Sequence, residues 1–202
     1  NGEVVNDFVF NEGFKFWAAD KTEQGAKLVL AQHGGGYGMI GQRQMDLHEL
    51  KICDKYFTWG WVSKEQSKIV PMVGGKLQGE QYKIKPDSNG AILWITAVSL
   101  PLFFVRIDHV TSGFDGPKYF WRQEKFLKAA CPEVSKKLLL RFPDLKCDWN
   151  GKKRLTDIDP SINTYKGTES MHSQLRGSRL CIHDYLGTTW LETLSMNFPT
   201  IL

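Results

Sequence analysis

The sequence lacks the features that mark several large classes of protein. Its four cysteines stand far apart, so they offer neither the paired spacing of a zinc site nor the density of a disulfide scaffold. No stretch approaches the roughly 18 to 20 consecutive apolar residues of a membrane helix, and no charged and then apolar signal region opens the chain. These absences predict a soluble, cytoplasmic protein with reduced thiols.

Charge of one sign is also scarce. The formal net charge is +4, from 26 Lys and Arg against 22 Asp and Glu, and no long run of basic residues occurs. So small an excess favours an anionic ligand only weakly, and it predicts that the protein does not bind nucleic acid. We also expect no metal and no other cofactor, because we identify no Asp-X-Asp metal motif in the sequence.

The composition is that of an ordinary globular protein, with 42% hydrophobic and 24% charged residues among 202. Residues 74–90 are rich in turn formers, which is typical of a linker. We therefore expect two lobes, residues 1–78 and 79–202. The chain opens without methionine and closes on a segment that resembles the start of a strand, so we expect it to be a truncated fragment.

Short apolar segments alternate with helical patterns along both lobes, which predicts an α/β fold with parallel sheets. The strand predictions cover residues 27–31, 56–61, 68–72, 91–98, 137–142 and 180–182. The helix predictions cover residues 14–25, 39–50, 119–130, 170–177 and 188–197, and residues 151–163 are expected to form a polar loop.

A histidine followed by glycines comes directly after the first predicted strand, in Gln32-His33-Gly34-Gly35-Gly36-Tyr37-Gly38. Ligands of parallel α/β sheets bind at the carboxyl ends of the strands, and glycines permit positive φ angles and the close approach of a ligand. His33 is therefore a candidate acid/base catalyst or phosphate contact. The alternative is a tight turn in which His33 caps a helix or bonds a core carbonyl. A Walker loop is excluded, because no Gly-Lys-Ser/Thr follows.

Arg141 ends a later predicted strand, where a guanidinium can contact phosphate or carboxylate with two hydrogen bonds. An ordinary surface ion pair is the alternative for this residue.

The segment from His183 to Glu192 follows the last of these strands and combines imidazole, carboxylate and hydroxyl groups. Thr188 and Thr189 stand at a helix start, where they either cap the helix or hold a phosphate with the free backbone amides. Glu192 either closes a capping box or bonds a ribose or sugar hydroxyl. His183 and Asp184 complete this set of candidate ligand contacts.

Four segments taken together resemble a family of bacterial surface-polysaccharide transferases. They are Gln32 to Gly38, then Cys-Asp-Lys-Tyr-Phe-Thr-Trp-Gly-Trp at 53–61, Arg141-Phe142-Pro143, and 183–192 with Asn-Phe-Pro-Thr at 197–200. More distantly, the layout is similar to the CDP-glycerol glycerophosphotransferases of teichoic acid synthesis and the CMP-Kdo transferases of capsule assembly. Those enzymes have the GT-B glycosyltransferase fold of two Rossmann-like lobes.

The resemblance implies a nucleotide-sugar-dependent transferase that uses a nucleotide-activated sugar or a CDP-glycerol-like donor and a glycan or lipid-linked acceptor. Residues 1–78 would belong to the acceptor-side lobe and residues 79–202 would begin the donor lobe. A lipid-linked acceptor is compatible with peripheral association at the inner face of the membrane.

The resemblance also implies roles for residues. His33 would be the general base, with Gly34, Gly35, Gly36 and Tyr37 beside the substrate. The donor phosphate would meet Arg141, Thr188 and Thr189, with Glu192 near the ribose and His183 and Asp184 beside them. Related enzymes often carry His-Pro where this chain has Arg141-Phe142-Pro143, so the donor stays open.

Two other functions are consistent with the same residues. A nucleotide-sugar epimerase would have the same architecture and would use carboxylates for elimination and addition at a sugar carbon. A catalytically silent nucleotide- or glycan-binding module would keep only the fold.

Overall fold

The computed structural model describes residues 11–39, 44–81, 83–96, 116–142, 150–165 and 169–202. The chain divides into two compact units, Asn1–Gln78 and Gly79–Leu202, which we call the first and the second unit. No helix among the described residues is both long and apolar enough to cross a membrane.

The first unit is built on a small parallel sheet. Its elements are α1 (Glu12–Glu23), β1 (Val29–Ala31), α2 (Gln44–Ile52), β2 (Lys55–Thr58) and β3 (Ile69–Pro71), with a 3-10 turn at Gly75–Leu77. The strand order is β1-β2-β3. α1 begins where the Asn11 side chain accepts a hydrogen bond from the Phe14 amide at 3.0 Å, and it ends before Gly25, whose φ of 92° suits glycine.

The second unit contains a larger parallel sheet. Its elements in chain order are β4 (Ala91–Ile95), α3 (Gly116–Ala129), α4 (Pro132–Ser135), β5 (Leu138–Arg141), α5 (Gly151–Ile158), β6 (Asn163–Thr164), α6 (Met171–Arg176), β7 (Ser178–His183), α7 (Thr189–Ser195) and β8 (Thr200–Ile201). The five strands lie in the order β6-β5-β4-β7-β8.

This strand order contains a reversal of direction. The chain starts at the central strand β4, moves outward through β5 to β6, and then crosses to β7 and β8 on the other side of β4. Renumbered from β4, the order is 3-2-1-4-5, which is that of the first five strands of the dinucleotide-binding Rossmann sheet. The reversal lies between β4 and β7.

The two faces of the second sheet bury separate apolar cores. One face packs against α6 and the residues that follow α7, through the cluster Ile84, Leu93, Ile95, Met171, Leu175, Cys181, Met196 and Phe198. The other face packs against α3 and α5, through Ile92, Trp94, Leu127, Leu138, Leu140, Leu155 and Ile162. Each fully buried leucine contributes about 1.5–3 kcal/mol to the free energy of unfolding, relative to an exposed one. Packing against helices on both faces therefore holds the strands in place.

The predicted α/β class with parallel sheets is confirmed. One prediction is wrong, because residues 151–163 are not a polar loop: they contain α5 and the first residue of β6. Leu155 is 1% exposed and packs into the core, whereas Lys153 and Asp157 form an ion pair one turn apart on the exposed side. The helix is amphipathic, but its apolar face is too narrow to stand out among the charged residues.

Other boundaries differ by a few residues. The predicted first strand is shorter and less buried, because Val29 is 48% exposed. The helix predicted from residue 39 is present as Gln44–Ile52, and residues 40–43 lie outside the described residues. The end of the strand predicted at 91–98 also lies outside them beyond Thr96.

Candidate functional site

The histidine loop, residues 32–38, follows the carboxyl end of β1. The amide of Gln32 continues the sheet by donating to the carbonyl of Phe57 at 2.8 Å. His33 is half-buried, whereas Gly34, Gly35 and Gly36 are buried. The three glycines therefore pack inward and leave the imidazole as the more accessible group of this turn.

Gln32 ties this loop to the chain that leaves β2. Its side-chain oxygen accepts hydrogen bonds from the Trp59 amide at 2.9 Å and from the Trp61 indole at 2.8 Å, and its amide nitrogen donates to the carbonyl of Gly34 at 2.7 Å. Gln32 is 5% exposed. A buried amide with these partners holds the backbone on both sides of His33.

Tyr37 contacts the imidazole directly. Its hydroxyl lies 2.6 Å from Nδ1 and 3.3 Å from Nε2 of His33, and the two rings meet edge to face at 4.8 Å. Tyr37 is 1% exposed and packs with Cys53 and Tyr56 in the core of the first unit. The sequence prediction treated Tyr37 as a substrate contact, but in the structure its hydroxyl faces His33.

The glycines serve the loop differently from the prediction. Among the described glycines, positive φ angles occur at Gly25, Gly38, Gly60 and Gly79, so in this loop only Gly38 needs the left-handed region. A Cβ added at Gly38 would lie 2.8 Å from the Trp61 ring. Gly38 therefore allows both the turn and the packing of the indole.

In the second unit, Arg141 ends β5 beside the central strand. Its Nη1 donates to the side-chain oxygen of Gln174 at 2.6 Å and to the carbonyl of Glu169 at 3.2 Å. Its own carbonyl accepts from the amide and hydroxyl of Thr96, both at 3.2 Å. Among the described residues, the partners of the Arg141 guanidinium are these neutral oxygens, and it forms no ion pair with them.

Several of the predicted groups influence the pKa of the Tyr185 hydroxyl. Burial raises its pKa, and the charges of Asp184 and Glu192 raise it further, while a hydrogen bond with Thr189 and the charge of Arg141 lower it by less. Thr189 is therefore a hydrogen-bond partner of this phenol, and the charges of Arg141, Asp184 and Glu192 act on it. A side chain at Gly187 would collide with the Tyr185 ring. The glycine therefore allows the backbone at residue 187 to pack closely against that ring.

Gln174 and Tyr185 were absent from the sequence prediction of the site. Gln174 is 5% exposed and positions Arg141, yet its place in the predicted helix 170–177 gave no sign of that role. Tyr185 stands inside the segment from His183 to Glu192, but an aromatic residue after a strand is more often core.

His183 is sealed inside the second unit. It is 2% exposed, and burial lowers its pKa to about 4. Its Nε2 lies 3.0 Å from Thr193 Oγ1, and that hydroxyl donates to the carbonyl of Trp190, so Oγ1 accepts from Nε2–H. Nδ1 is then the acceptor, with the Thr189 hydroxyl 3.3 Å away. A neutral imidazole in this position packs α7 against β7.

Asp184 points to the opposite face of the sheet from its neighbour. Its carboxylate accepts from the Trp94 indole at 3.0 Å, the Tyr119 hydroxyl at 2.8 Å and the Gln123 amide at 2.7 Å. Trp94 belongs to β4 and the other two donors belong to α3. Asp184 thus joins the two strands at the reversal of the sheet to the helix that covers them.

The start of α7 shows neither a cap made by the Thr188 side chain nor a capping box closed by Glu192. Thr188 is the N-cap residue, but its side chain makes no capping hydrogen bond. Glu192 is the fourth helical residue and is 7% exposed, whereas a capping box needs a carboxylate at the third position. The capping-box alternative for Glu192 is therefore excluded by the position at which the helix begins.

Asp157 and Asp159 have the Asp-X-Asp spacing of a metal motif, so the statement that the sequence has no such motif is wrong. Asp157 pairs with Lys153, and Asp159 accepts from the amide and hydroxyl of Ser161. Among the described ranges, no group of three His, Cys, Asp or Glu side chains is placed to hold a metal ion. Cys53, Cys131 and Cys181 carry free thiols, and burial raises the pKa of Cys181 to about 12.

The first unit also has a pocket of about 260 Å³ between α1 and α2. It is lined by Lys15, Ala18, Ala19, Thr22, Leu28, His48 and Ile52, and it includes no residue of the histidine loop.

The predicted residues thus form two groups, one in each unit. His33, the buried glycines and Tyr37 belong to the first unit, and Arg141 and the predicted residues from His183 to Glu192 belong to the second. No curated protein matches the sequence. A family model described as LIC12162 family transferase matches residues 4–202, which is nearly the whole chain. The chain belongs to the LIC12162 family of transferases.

Proposed function

We propose that this transferase has the GT-B type of architecture and uses a nucleotide-activated donor, either a nucleotide sugar or a CDP-glycerol-like compound. Its acceptor would be a glycan or a lipid-linked glycan of a bacterial surface polysaccharide. The transferase family supports the reaction class, and the sequence segments that resemble surface-polysaccharide enzymes support the choice of substrates.

The strand order of the second unit carries the proposal. In open doubly wound sheets, a ligand binds outside the carboxyl ends of the strands where the strand order reverses. Here the reversal lies between β4 and β7. The start of α7 follows the carboxyl end of β7, and Arg141 ends β5, the neighbour of β4 on its other side. This supports a donor site in the second unit.

Arg141 is the residue we assign to the donor phosphate. Its guanidinium has five N–H donors, and the bonds to Gln174 and to the Glu169 carbonyl orient it without neutralising its charge. Thr188 and the amides of the segment around Gly187 add neutral donors in this proposal. Glu192 would accept from a ribose or sugar hydroxyl.

His33 is the residue we assign to the acceptor. In the proposed step, its imidazole takes the proton of the acceptor hydroxyl while the oxygen forms a bond to the sugar carbon, or to phosphorus for a glycerol-phosphate donor. The bond from that centre to the leaving nucleotide phosphate breaks, and the phosphate oxygen keeps the electron pair. Arg141 would stabilise the charge that develops there.

His183 and Asp184 have a different role in this proposal from the one the resemblance implies. The neutral, buried imidazole of His183 cannot supply positive charge to a phosphate near neutral pH. The carboxylate of Asp184 is engaged by three donors from β4 and α3. We assign both residues to the framework that supports the carboxyl ends of β4 and β7.

Thermal stabilisation of the protein by CMP-, CDP-, UDP- and GDP-linked donors tests the proposal. A ligand that binds only the folded state at about 100 times its Kd adds about 2.7 kcal/mol to the free energy of unfolding. We expect one nucleotide class to raise the Tm in a concentration-dependent way. If none of the four classes shifts the Tm, the assignment of a nucleotide-activated donor is wrong.

A pair of arginine variants locates the donor. Arg141→Gln should abolish most of the Tm shift, because it removes the cation assigned to the phosphate. Arg179→Gln is the matched control, since Arg179 is exposed near the amino end of β7, at the other edge of the sheet. Equal shifts in both variants would place the donor elsewhere.

A further inference from the structure

We infer that the outer face of α3, extended by α5, docks the protein on the surface of a membrane that contains anionic lipids. The exposed side chains of this outer face, which we call the basic face, are Lys118, Trp121, Arg122, Lys125 and Lys128. Docking through the basic face is independent of the donor and of the role assigned to His33.

The positive charge of the chain is concentrated in two helices. α3 contains four Lys or Arg residues and one Glu, and α5 contains three and one Asp, so their formal net charge together is +5. The whole chain has +4, so all its other residues together have −1. Every other described helix has a net charge between −1 and +1. Such asymmetry points to an anionic partner for α3 and α5.

The packing of α3 turns the basic face away from the sheet. Gln123 and Leu127 are 3% and 6% exposed, and they mark the side of the helix that lies on the sheet. Lys118, Trp121 and Lys125 follow one another at intervals of three and four residues on the opposite side. Their side chains therefore share one outward stripe along α3.

α5 continues the positive surface beside α3. Both helices pack on the same apolar core of the second sheet, and the guanidinium of Arg154 lies 5.0 Å from the centroid of the Phe120 ring of α3. Lys152 and Lys153 of α5 are exposed. The one carboxylate of each helix is paired with a lysine of the same helix, at 2.5 Å in α3 and 2.6 Å in α5. The two helices thus present one broad cationic surface.

Trp121 favours a membrane over a soluble polyanion as the partner. Its side chain is 56% exposed among the cations, and Nζ of Lys125 lies 5.2 Å from the centroid of its ring. Indole rings prefer the headgroup layer of a bilayer, and the long stems of Lys and Arg place their charge at the same level. An indole and several cations on one outward stripe therefore fit the surface of an anionic bilayer.

The first test is co-sedimentation of the whole protein with lipid vesicles. Vesicles of phosphatidylcholine with phosphatidylglycerol are compared with vesicles of phosphatidylcholine alone. We expect binding only to the anionic vesicles, and its loss at about 1 M salt, where the Debye length falls to about 3 Å. Equal binding to both kinds of vesicle, or binding to neither, would overturn the inference.

Charge reversal locates the contact. A cation near an anionic leaflet typically increases binding about 5-fold, so Arg122→Glu together with Lys125→Glu should weaken vesicle binding by at least about 25-fold. Lys55→Glu together with Lys64→Glu is the matched control, because it makes the same change in net charge at exposed lysines of the first unit. The control should bind as the wild type does. An equal loss in both double variants would mean that net charge, and not the basic face, causes binding.

Removal of the indole separates a membrane from a soluble polyanion. Trp121→Ser keeps every charge, and we expect it to weaken vesicle binding about 10-fold, as for the loss of a large apolar contact, while retention on heparin stays unchanged. Trp17→Ser is the matched control, because Trp17 is 57% exposed on α1, which has a net charge of −1. If Trp121→Ser binds the vesicles like the wild type, or if Trp17→Ser loses as much, the basic face does not dock on a bilayer.

Discussion

Two histidines occupy the same position in the sequence pattern but very different surroundings in the structure. His33 follows β1 in a turn, is half-buried and meets the phenol of Tyr37. His183 closes β7, is 2% exposed and is surrounded by Thr189, Thr193 and the thiol of Cys181. Both were predicted to contact a substrate.

The difference shows what a strand end does and does not decide. The carboxyl end of a parallel strand places a residue near the ligand edge, but the packing of the next helix decides whether its side chain reaches that edge. α7 folds over His183 and supplies Thr193, whereas the chain after His33 turns back in a glycine-rich loop. Burial therefore keeps the imidazole of His183 neutral, whereas the imidazole of His33 stays partly accessible.

The largest expected effect concerns the accessible histidine. His33→Ala should lower kcat by about 10²- to 10⁴-fold, because a general base typically contributes that much to the rate. The Tm should change little, since His33 is only half-buried. Steady-state kinetics with the donor found by thermal stabilisation measure the loss.

His183→Gln is the counterpart, and we expect it to lower the Tm while it leaves kcat within a few-fold of the wild type. Glutamine retains a donor toward Thr193 but not the shape of the ring. If His183→Gln lost as much activity as His33→Ala, the distinction between the two histidines would be broken.

The second effect is the pH dependence of stability that comes from His183. Its folded pKa of about 4 lies below the unfolded value of 6.5, so the unfolded state binds the proton first as the pH falls. The stability of the wild type should therefore fall between pH 6.5 and pH 4, by about 3 kcal/mol, because each pKa unit is worth 1.36 kcal/mol.

Urea unfolding of the wild type and of His183→Gln at pH 7 and pH 4 isolates this contribution, because the carboxylates titrate in both proteins. The wild type should lose about 3 kcal/mol more than the variant over this range. Equal losses would mean that His183 is not buried as a neutral imidazole.

The sequence predicts the framework around these histidines well, because the strands have strong local signals. Residues 91–95 and 138–141 are short apolar runs between turn formers, and both are strands. α5 escaped prediction because only Leu155 and Ile158 mark its apolar face, and β6, with two residues, has no local signal at all.

The site could be predicted only as positions along the chain. Arg141 ends its strand as expected, but its partner Gln174 is 33 residues away and is brought close by the crossing of the chain from β6 to β7. Likewise Asp184 meets Trp94 and Gln123 through strand order and helix packing. Such contacts depend on register and tertiary burial, which the local pattern does not contain.

The third effect tests the face of the sheet opposite His183. Asp184→Asn replaces the carboxylate that accepts from Trp94, Tyr119 and Gln123 by an amide with a single acceptor oxygen. We expect a loss of about 1.5–3 kcal/mol, as for hydrogen bonds to a charged group. Asp157→Asn is the control in urea unfolding, because the exposed pair with Lys153 contributes at most about 0.5 kcal/mol. Similar losses in both variants would remove the framework role of Asp184.

The smallest effect addresses the tautomer of His183. Thr193→Val keeps the shape of the side chain and removes the hydroxyl, which accepts from Nε2 at 3.0 Å and donates to the carbonyl of Trp190 at 3.0 Å. Thr193 is 0% exposed, so Nε2–H would lose its partner in a buried site, and we expect a loss of about 1 kcal/mol.

The same variant sharpens the His183 side of this comparison through ¹⁵N NMR. In the wild type, His183 should be Nε2–H, because the Thr193 hydroxyl has only one hydrogen and gives it to Trp190. Thr193→Val should weaken this preference. A wild-type Nδ1–H tautomer at His183 would mean that Thr193 donates to the imidazole and not to α7, and that the burial of His183 relies on a different hydrogen-bond network.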